Sequence, residues 1–297
     1  MNFSLLPAQI LQGIFAGSIY ALFALGYTLV FGVLDILNLA HAAIFMMGAM
    51  IAWWLVAGAG WVLWLAFPVA VLAAGLLGLL LDRIAFYRLR QRKASQLSPL
   101  ISSIGMGLIF VGLARLLFNP DRKQFPSDAF PQVYFDIGTL RIRLLDVVIL
   151  IVSILLMFAL TWVVRNTNLG RAMRAVAENT KASALLGINI ERVIAQTFFI
   201  ASALGGAAGV LYGMSLNSIE PTMGSQVELK GLAIIILGGM GSIPGAVLAG
   251  LLIGLIESLS VVFHVSQIKD ALVFAALFLV LLLRPQGIFG RTVSRAG

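Results

Sequence analysis

The sequence predicts an all-α, polytopic integral membrane protein, a helical bundle of about eight or nine apolar spans that include broken or re-entrant segments. Of its 297 residues, 61% are hydrophobic and only 11% are charged, whereas soluble domains carry about 25% charged residues. Met1 to Leu34 contains no charged residue, and Ile36 to Leu81 contains only the titratable His41. Both stretches exceed the ~20 apolar residues that cross a bilayer core.

Charged linkers separate the apolar spans and set their approximate limits. We place the spans at 7–31, 36–57, 61–81, 99–118, 144–164, 193–214, 228–241, 245–263 and 268–283. Residues 1–297 are expected to form a single transmembrane domain, with 165–192 as its main polar segment.

Two of these spans are unusual. The span 36–57 opens with the polar residues Asn38 and His41, and the span 228–241 is short and runs into a series of glycines and Pro244. Short or interrupted spans are typical of transport pathways. A kinked helix packed between neighbours explains them equally well.

Basic residues are concentrated in three segments. Thirteen of the twenty Lys and Arg residues lie in Asp82–Ser98, in Arg165–Arg192 and after Leu283, including Lys93, Arg291 and Arg295. Because basic residues favour the cytoplasmic side, all three segments and the C-terminus are expected there, with Asn119–Arg143 and the N-terminus outside. This bias accounts for the net charge of +8 without a nucleic-acid partner.

Several catalytic patterns are absent from the sequence. The chain has no cysteine, no G-x-x-x-x-G-K-[ST] phosphate loop, no H-E-x-x-H and no G-x-S-x-G. Its two histidines, His41 and His264, lie in different spans. We therefore expect no catalytic residue, no metal site and no bound cofactor in this chain.

Pairs of glycines four residues apart recur in the spans. These pairs place two small residues on one helix face, which lets helices approach closely in a membrane. They are Gly13/Gly17, Gly205/Gly209, Gly209/Gly213, Gly241/Gly245 and Gly250/Gly254.

The polar segment 165–192 is predicted to contain a pair of short amphipathic helices. Its alanine and charged residues favour helix, Asn179 and Thr180 can cap a second helix, and Gly187 suits the left-handed residue that ends one. Four apolar residues are predicted to gather on one side: Met173, Val176, Ala177 and Ala184. Such helices either lie on the membrane surface or dock in a groove of a soluble partner.

Four segments resemble the permease subunits of ABC transporters for branched-chain amino acids, specifically the shorter of the two permeases. GSIYALFALGYTLVFGVLDILNLAH (17–41) is similar to the first span and the Asn-x-Ala-His segment, and GRAMRAVAENTKASALLGINIERV (170–193) to the coupling segment. LGGMGSIPGAVLAGLLIG (237–254) and RPQGIFG (284–290) are similar to the glycine-rich late segment and the C-terminal ending. The four occur in the family's order.

The resemblance implies that the polar segment 165–192 couples the permease to a cytoplasmic ATPase. Glu178 and Gly187 match the acidic and glycine positions of the coupling loop. The implied contact residues are Arg174, Ala177, Glu178, Asn179, Ala182, Leu186, Gly187 and Asn189.

The resemblance also implies the partners and the location. These are a second permease in a heterodimer, two cytoplasmic ATPase subunits that use ATP, and a periplasmic or extracellular amino-acid-binding protein. The location would be the inner membrane of a bacterial cell, in contact with lipid.

Five polar residues are candidates for a translocation path for hydrophobic amino acids: Asn38, His41, Asn217, Glu220 and Glu257. Asn38 and His41 share one face if their segment is helical, and they either line the path or hold the bend. Glu220, with Glu228 and Lys230, either guides the binding protein, gates the path or belongs to a solvated loop. Glu257 needs a partner because an unpaired carboxylate in a span is costly, and we expect that partner on another helix.

Two other functions remain open at this stage. One is an ion-coupled secondary transporter for a small solute, with Glu257 or Asp146 carrying the proton. The other is an assembly or lipid-facing protein without transport activity.

Overall fold

The structure, a computed structural model, describes residues 6–92, 95, 97–137 and 140–290. Its helices are α1 (Leu6–Leu34), α2 (His41–Trp53), α3 (Leu63–Leu81), α4 (Tyr87–Gln91), α5 (Leu97–Phe118), α6 (Leu144–Asn166), α7 (Asn168–Glu178), α8 (Thr180–Leu185), α9 (Ile190–Leu216), α10 (Met223–Gly238), α11 (Ile243–Val262) and α12 (Lys269–Leu283). Two antiparallel strands, β1 (Tyr134–Ile137) and β2 (Leu140–Arg143), pair in the long loop.

The predicted helical membrane bundle is confirmed. Within the described residues, eight helical segments are long and apolar enough to cross a membrane. The 16-residue α10 is shorter than a full span, because the turn at Gly239 to Ser242 ends it. The protein is therefore a multi-pass membrane protein with one short late helix.

Helix α1 lies at the centre of the bundle, where glycines bring it close to α11. A Cβ atom placed at Gly13 would lie 2.9 Å from the Leu255 Cα, and one at Gly250 would lie 2.6 Å from the Ala21 Cα. Four of the predicted glycine pairs lie within helices. The prediction for Gly241/Gly245 is wrong, because Gly241 lies in the turn before α11 with a φ of +82°.

The start of the second span differs from the prediction. Residues 36–40 are not helical and α2 begins only at His41, so Asn38 and His41 do not share a helix face. The Leu39 N–H donates to the Ser103 Oγ on α5 at 3.1 Å, and His41 lies beside Gly26 and Gly205 in the middle of α1 and α9. The chain therefore turns back into the bundle before α2 starts.

The linker after the third span is helical, which the sequence analysis did not predict. Helix α3 continues through a π-helical turn, Asp82–Phe86, into α4. The Arg90 guanidinium bonds the Asp82 carboxylate at 2.5 Å and the Glu191 carboxylate at 2.8 Å. The ion pair between Arg90 and Glu191 joins the end of the continuous α3–α4 helix to the start of α9.

The three basic segments meet at one end of the bundle. Helix α1 runs antiparallel to α9, since Tyr20 faces Tyr212 at a ring distance of 6.5 Å and Gly26 faces Ala201. The end of α1 therefore lies near the start of α9, beside α7. Lys93, Arg291, Arg295 and the start of the chain, all used for the predicted orientation, lie outside the described residues.

The segment after α12 also returns to this end. The N–H groups of Ile288 and Phe289 donate to the carbonyls of Leu237 and Gly238 at 2.9 and 3.0 Å. Carbonyls at a helix end lack partners within the helix. This segment, part of the RPQGIFG motif, therefore supplies partners to the last turn of α10.

The long loop 119–143 lies at the opposite end. Lys123 forms an antiparallel bridge with Ile219, the Trp53 indole N–H donates to the Gln124 carbonyl at 2.9 Å, and β2 runs directly into α6. The loop is therefore fastened to the connection between α9 and α10 and to α2.

Candidate functional site

The polar segment contains the two predicted short helices. Thr167 caps α7 by accepting a hydrogen bond from the Gly170 N–H at 3.1 Å. Met173 and Val176 are buried against the bundle, as an amphipathic helix requires. Ala177 and Ala184 are exposed, so the prediction that they gather on one side with Met173 and Val176 is wrong.

The predicted ends of the second helix are confirmed. The Asn179 side chain caps α8 by accepting from the Ala182 N–H at 2.9 Å, and Gly187 has a φ of +82°. The Ile188 N–H reaches the Ser183 carbonyl and the Gly187 N–H reaches the Ala184 carbonyl, both at 3.0 Å. This is the Schellman arrangement that ends helices at a left-handed glycine.

The remaining residues predicted to form a coupling surface lie on or beside these helices. Asn189 caps α9 by accepting from the Arg192 N–H at 3.0 Å, and Arg174 donates to the Val164 carbonyl at the end of α6. The exposed members of the set are Arg174, Ala177, Glu178, Asn179, Ala182, Leu186, Gly187 and Asn189.

The most exposed apolar residues of this segment are Leu185 and Leu186. They are 90% and 81% exposed, although leucine is usually buried. Sequence reasoning missed Leu185, although two adjacent leucines in a polar segment were a usable signal. Together with the charged residues around it, this pair forms an exposed apolar tip on a capped, fixed turn.

Asn38 and His41 are enclosed in the bundle, each 1% exposed. The His41 Nε2 lies 3.2 Å from the Phe23 carbonyl, and the Asn38 Oδ1 accepts from the Ala40 N–H at 3.2 Å. The His41 ring fits between α1 and α9 because Gly26 and Gly205 have no side chains there. His41 thus joins the start of α2 to α1, and the Asn38 side chain bonds within the bend itself.

Asn217 ends α9 in the left-handed region with a φ of +45°. Its side chain accepts from the Phe125 N–H at 3.0 Å, so it fastens the long loop. Glu220 follows in the same connection and lies 3.3 Å from Gln226. Asp146, the other acidic residue considered for proton transfer, is 1% exposed and ion-paired with Arg143 at 2.8 Å.

Glu257 has its ion-pair partner on another helix of the same chain. Its carboxylate bonds the Lys230 ammonium of α10, and Lys230 also lies 3.4 Å from Asp270 on α12. The side chains of Lys230 and Glu257 are only 12% and 9% exposed. The structure therefore places Lys230 inside the bundle and not in a solvated loop.

Replacing Lys230 by glutamine is expected to lower the free energy of unfolding by about 3–5 kcal/mol, because Glu257 would remain buried without its main partner. Thermal unfolding of the purified protein in detergent measures this. Lys269→Gln is the matched control: this side chain is 48% exposed and 4.0 Å from Glu257, so its loss is expected to cost at most about 1 kcal/mol. Equal melting of Lys230→Gln and the parent protein would contradict the assignment.

Within the part of the chain that the structure describes, no three His, Asp or Glu side chains are grouped closely enough to hold a metal ion. Two regions remain as candidate functional sites. One is the exposed α7–α8 segment at one end of the bundle, and the other is the set of enclosed polar groups around α2 and α10.

Comparison with known proteins identifies relatives across almost the whole chain. Residues 9–282 match the family described as branched-chain amino acid transport system, permease component. The high-affinity branched-chain amino acid transport system permease protein LivH of Escherichia coli K12 is 38% identical over 294 residues, covering 95% of each chain. BraD, the corresponding permease protein of Pseudomonas aeruginosa, is 37% identical over 294 residues, again covering 95% of each chain.

A more distant relative is the ribose import permease protein RbsC of Haemophilus influenzae. It is 30% identical over 152 residues, which cover 48% of this chain and 46% of that protein. No solved structure matches the chain.

Proposed function

The chain belongs to the family of permease components of branched-chain amino acid transport systems, and from this membership we propose how it works within an ATP-binding cassette importer. It is a permease subunit of such an importer. It forms part of the path for branched-chain or other hydrophobic amino acids and couples that path to a separate cytoplasmic ATPase.

The exposed tip of α8 is the observation that carries the coupling role. Leu185 and Leu186 are almost fully exposed on a turn whose backbone is fixed by the Asn179 cap and by Gly187. A rigid apolar anchor with charged surroundings has the composition of a protein–protein contact. A lipid surface is the alternative, which the exposed Lys181 on α8 would favour and the exposed Glu178 would disfavour.

The proposed assembly contains a second permease, two ATPase subunits and an external amino-acid-binding protein. The chain itself binds no cofactor and catalyses no reaction, and ATP is hydrolysed by the partner subunits. The basic end of the bundle, with the C-terminus, faces the cytoplasm of a bacterial cell, and the long loop faces outward. This orientation rests on the excess of basic residues at that end.

Reconstitution in proteoliposomes tests the proposal. Uptake of a branched-chain amino acid is expected to require ATP, this chain, the second permease, both ATPases and the binding protein. Omission of any one component is the control, and each omission is expected to reduce uptake to the background of empty liposomes.

Ion-coupled transport by the chain alone is the second candidate function. Uptake driven by a proton gradient without ATP or partner subunits would support it and contradict an importer. Both of its candidate proton carriers, Glu257 and Asp146, are already ion-paired with basic residues of the same chain.

A further inference from the structure

Three buried polar atoms without partners belong to residues that lie close to the point where the chain turns back before α2. They are the Tyr27 hydroxyl, the Asn38 amide nitrogen and the His41 Nδ1, and each residue is at most 2% exposed. The ring centroids of Tyr27 and His41 are 4.7 Å apart. The backbone N–H of His41 donates to the backbone carbonyl of Asn38 at 3.1 Å. Buried polar groups almost always have partners, so this concentration requires an explanation.

A carboxylate on α10 faces the same place. Gly224 packs on the Ala42 carbonyl of α2, and Gly231 packs on Phe23 and Tyr27 of α1. Glu228 lies four residues after Gly224 and three before Gly231, so it is on the same face of the helix.

Glu228 is half-buried and, among the described residues, has neither a hydrogen bond nor an ion pair. Lys230, two residues further along α10, lies on the opposite side of the helix from Glu228 and is ion-paired with Glu257 and Asp270. Ionisable groups inside a membrane bundle are costly and usually serve a function. The function of Glu228 is therefore not explained by the ion pairs of the bundle.

The polar groups without partners comprise both hydrogen-bond donors and hydrogen-bond acceptors. Since the His41 Nε2 faces the Phe23 carbonyl at 3.2 Å, it carries the proton, and Nδ1 of the neutral ring is an acceptor. Nδ1 and the Glu228 carboxylate can both accept from an ammonium group, whereas the Tyr27 hydroxyl and the Asn38 amide can donate to a carboxylate. The helix dipole at the start of α2 adds to the attraction for a carboxylate.

We propose that the junction of α1, α2 and α10 binds the zwitterionic head group of the transported amino acid. Glu228 and His41 would receive its ammonium group, and Tyr27 and Asn38 its carboxylate. Phe23 and Phe45, whose rings are 5.0 Å apart, provide an apolar surface beside the site for the side chain. This inference rests on the proposed function and adds a binding site to it. Because the groups are enclosed, binding requires that α10 move away from α1 and α2.

Two conservative variants test the site by separating transport from stability. Tyr27→Phe removes the hydroxyl donor, and Glu228→Gln removes the negative charge that attracts the ammonium group. Both variants keep nearly the same side-chain shape. Removing a buried group that has no partner is expected to keep or raise the melting temperature of the complete complex. ATP-driven uptake is expected to fall about tenfold in each variant, because one hydrogen bond to the ligand is lost. Asp128→Asn, at an exposed carboxylate of the long loop, is the matched control and is expected to transport normally.

Ligand-dependent thermal stability identifies the head group that is bound, when it is measured in detergent on the two permeases and the ATPases assembled without the amino-acid-binding protein. Millimolar L-leucine is expected to raise the melting temperature by about 3 °C. Its deaminated acid, 4-methylpentanoate, and its decarboxylated amine, 3-methylbutylamine, are expected to give no shift. The leucine shift is expected to disappear in both Tyr27→Phe and Glu228→Gln.

The proposal would be overturned if both variants kept normal uptake and a normal leucine shift, since the unpaired groups would then bind only water. It would also be overturned if uptake and melting temperature fell together, since that result indicates a packing role. If the parent complex showed no ATP-driven uptake, the proposed function would fail. In that case the leucine shift and its loss in Glu228→Gln would still decide the binding site.

Discussion

ATP-driven uptake by the complete complex is expected to fall at least about tenfold when Leu185 and Leu186 are both replaced by alanine. Their side chains are 90% and 81% exposed, so truncation removes almost no contact within this chain. Its melting temperature is therefore expected to remain unchanged. The loss of uptake would come from a weaker contact with the ATPase, measured as less ATPase copurifying with the permease.

Lys181→Ala is the matched control for this prediction. Lys181 is exposed on the same short helix, but a solvated charge at the edge of a contact contributes little. Its uptake is expected to stay within about twofold of the parent complex. Normal copurification and uptake in the double leucine variant would show that the α8 tip is not the coupling surface.

The folded protein is expected to be lost when Gly250 is replaced by leucine. A Cβ atom at this position would lie 2.6 Å from both the Cα and the N of Ala21, and these backbone atoms cannot move without separating α11 from α1. Overpacking a tight interface costs about 1–3 kcal/mol even for small insertions, and a whole leucine side chain adds to this. We expect the variant to aggregate during extraction in detergent, as measured by size-exclusion chromatography.

Gly250→Ala and Gly105→Ala form a graded comparison for the same interface. The alanine at position 250 is expected to lower the free energy of unfolding by about 1–3 kcal/mol. Gly105 is in the middle of α5 with nothing within 4 Å of the position of a Cβ atom, so alanine there is expected to be neutral or stabilising by up to about 1 kcal/mol. Similar effects at both positions would show that α1 and α11 are not closely packed.

The spans were predictable from the sequence because each depends on local composition. A continuous apolar run must form a helix in lipid, and the charged linkers mark its ends. The caps at Asn179 and Gly187 were predictable for the same reason, since each depends on the chemistry of one residue and its near neighbours. Family membership was also evident from four short segments in order.

Features that depend on distant residues were not predicted. The charged residues of Asp82–Ser98 predict a linker. In the structure its first part is helical, and the Arg90 ion pairs with Asp82 and Glu191 fasten it to α9. Glu228 and Lys230 were grouped together as neighbours beside a short span. In the structure Lys230 is ion-paired with Glu257 and Asp270, whereas Glu228 lies on the helix face whose glycines, Gly224 and Gly231, pack on α2 and α1.

The sequence by itself thus determined the membrane class, the helical spans, the basic segments and the two short helices of the polar segment, because short-range composition controls insertion into lipid and local helix formation. The tertiary structure alone decided which polar groups inside the bundle have partners. That outcome depends on how closely α1, α2, α10 and α11 approach one another. Pairing of a buried charge depends on distances between residues far apart in the chain, as Lys230 and Glu257 show.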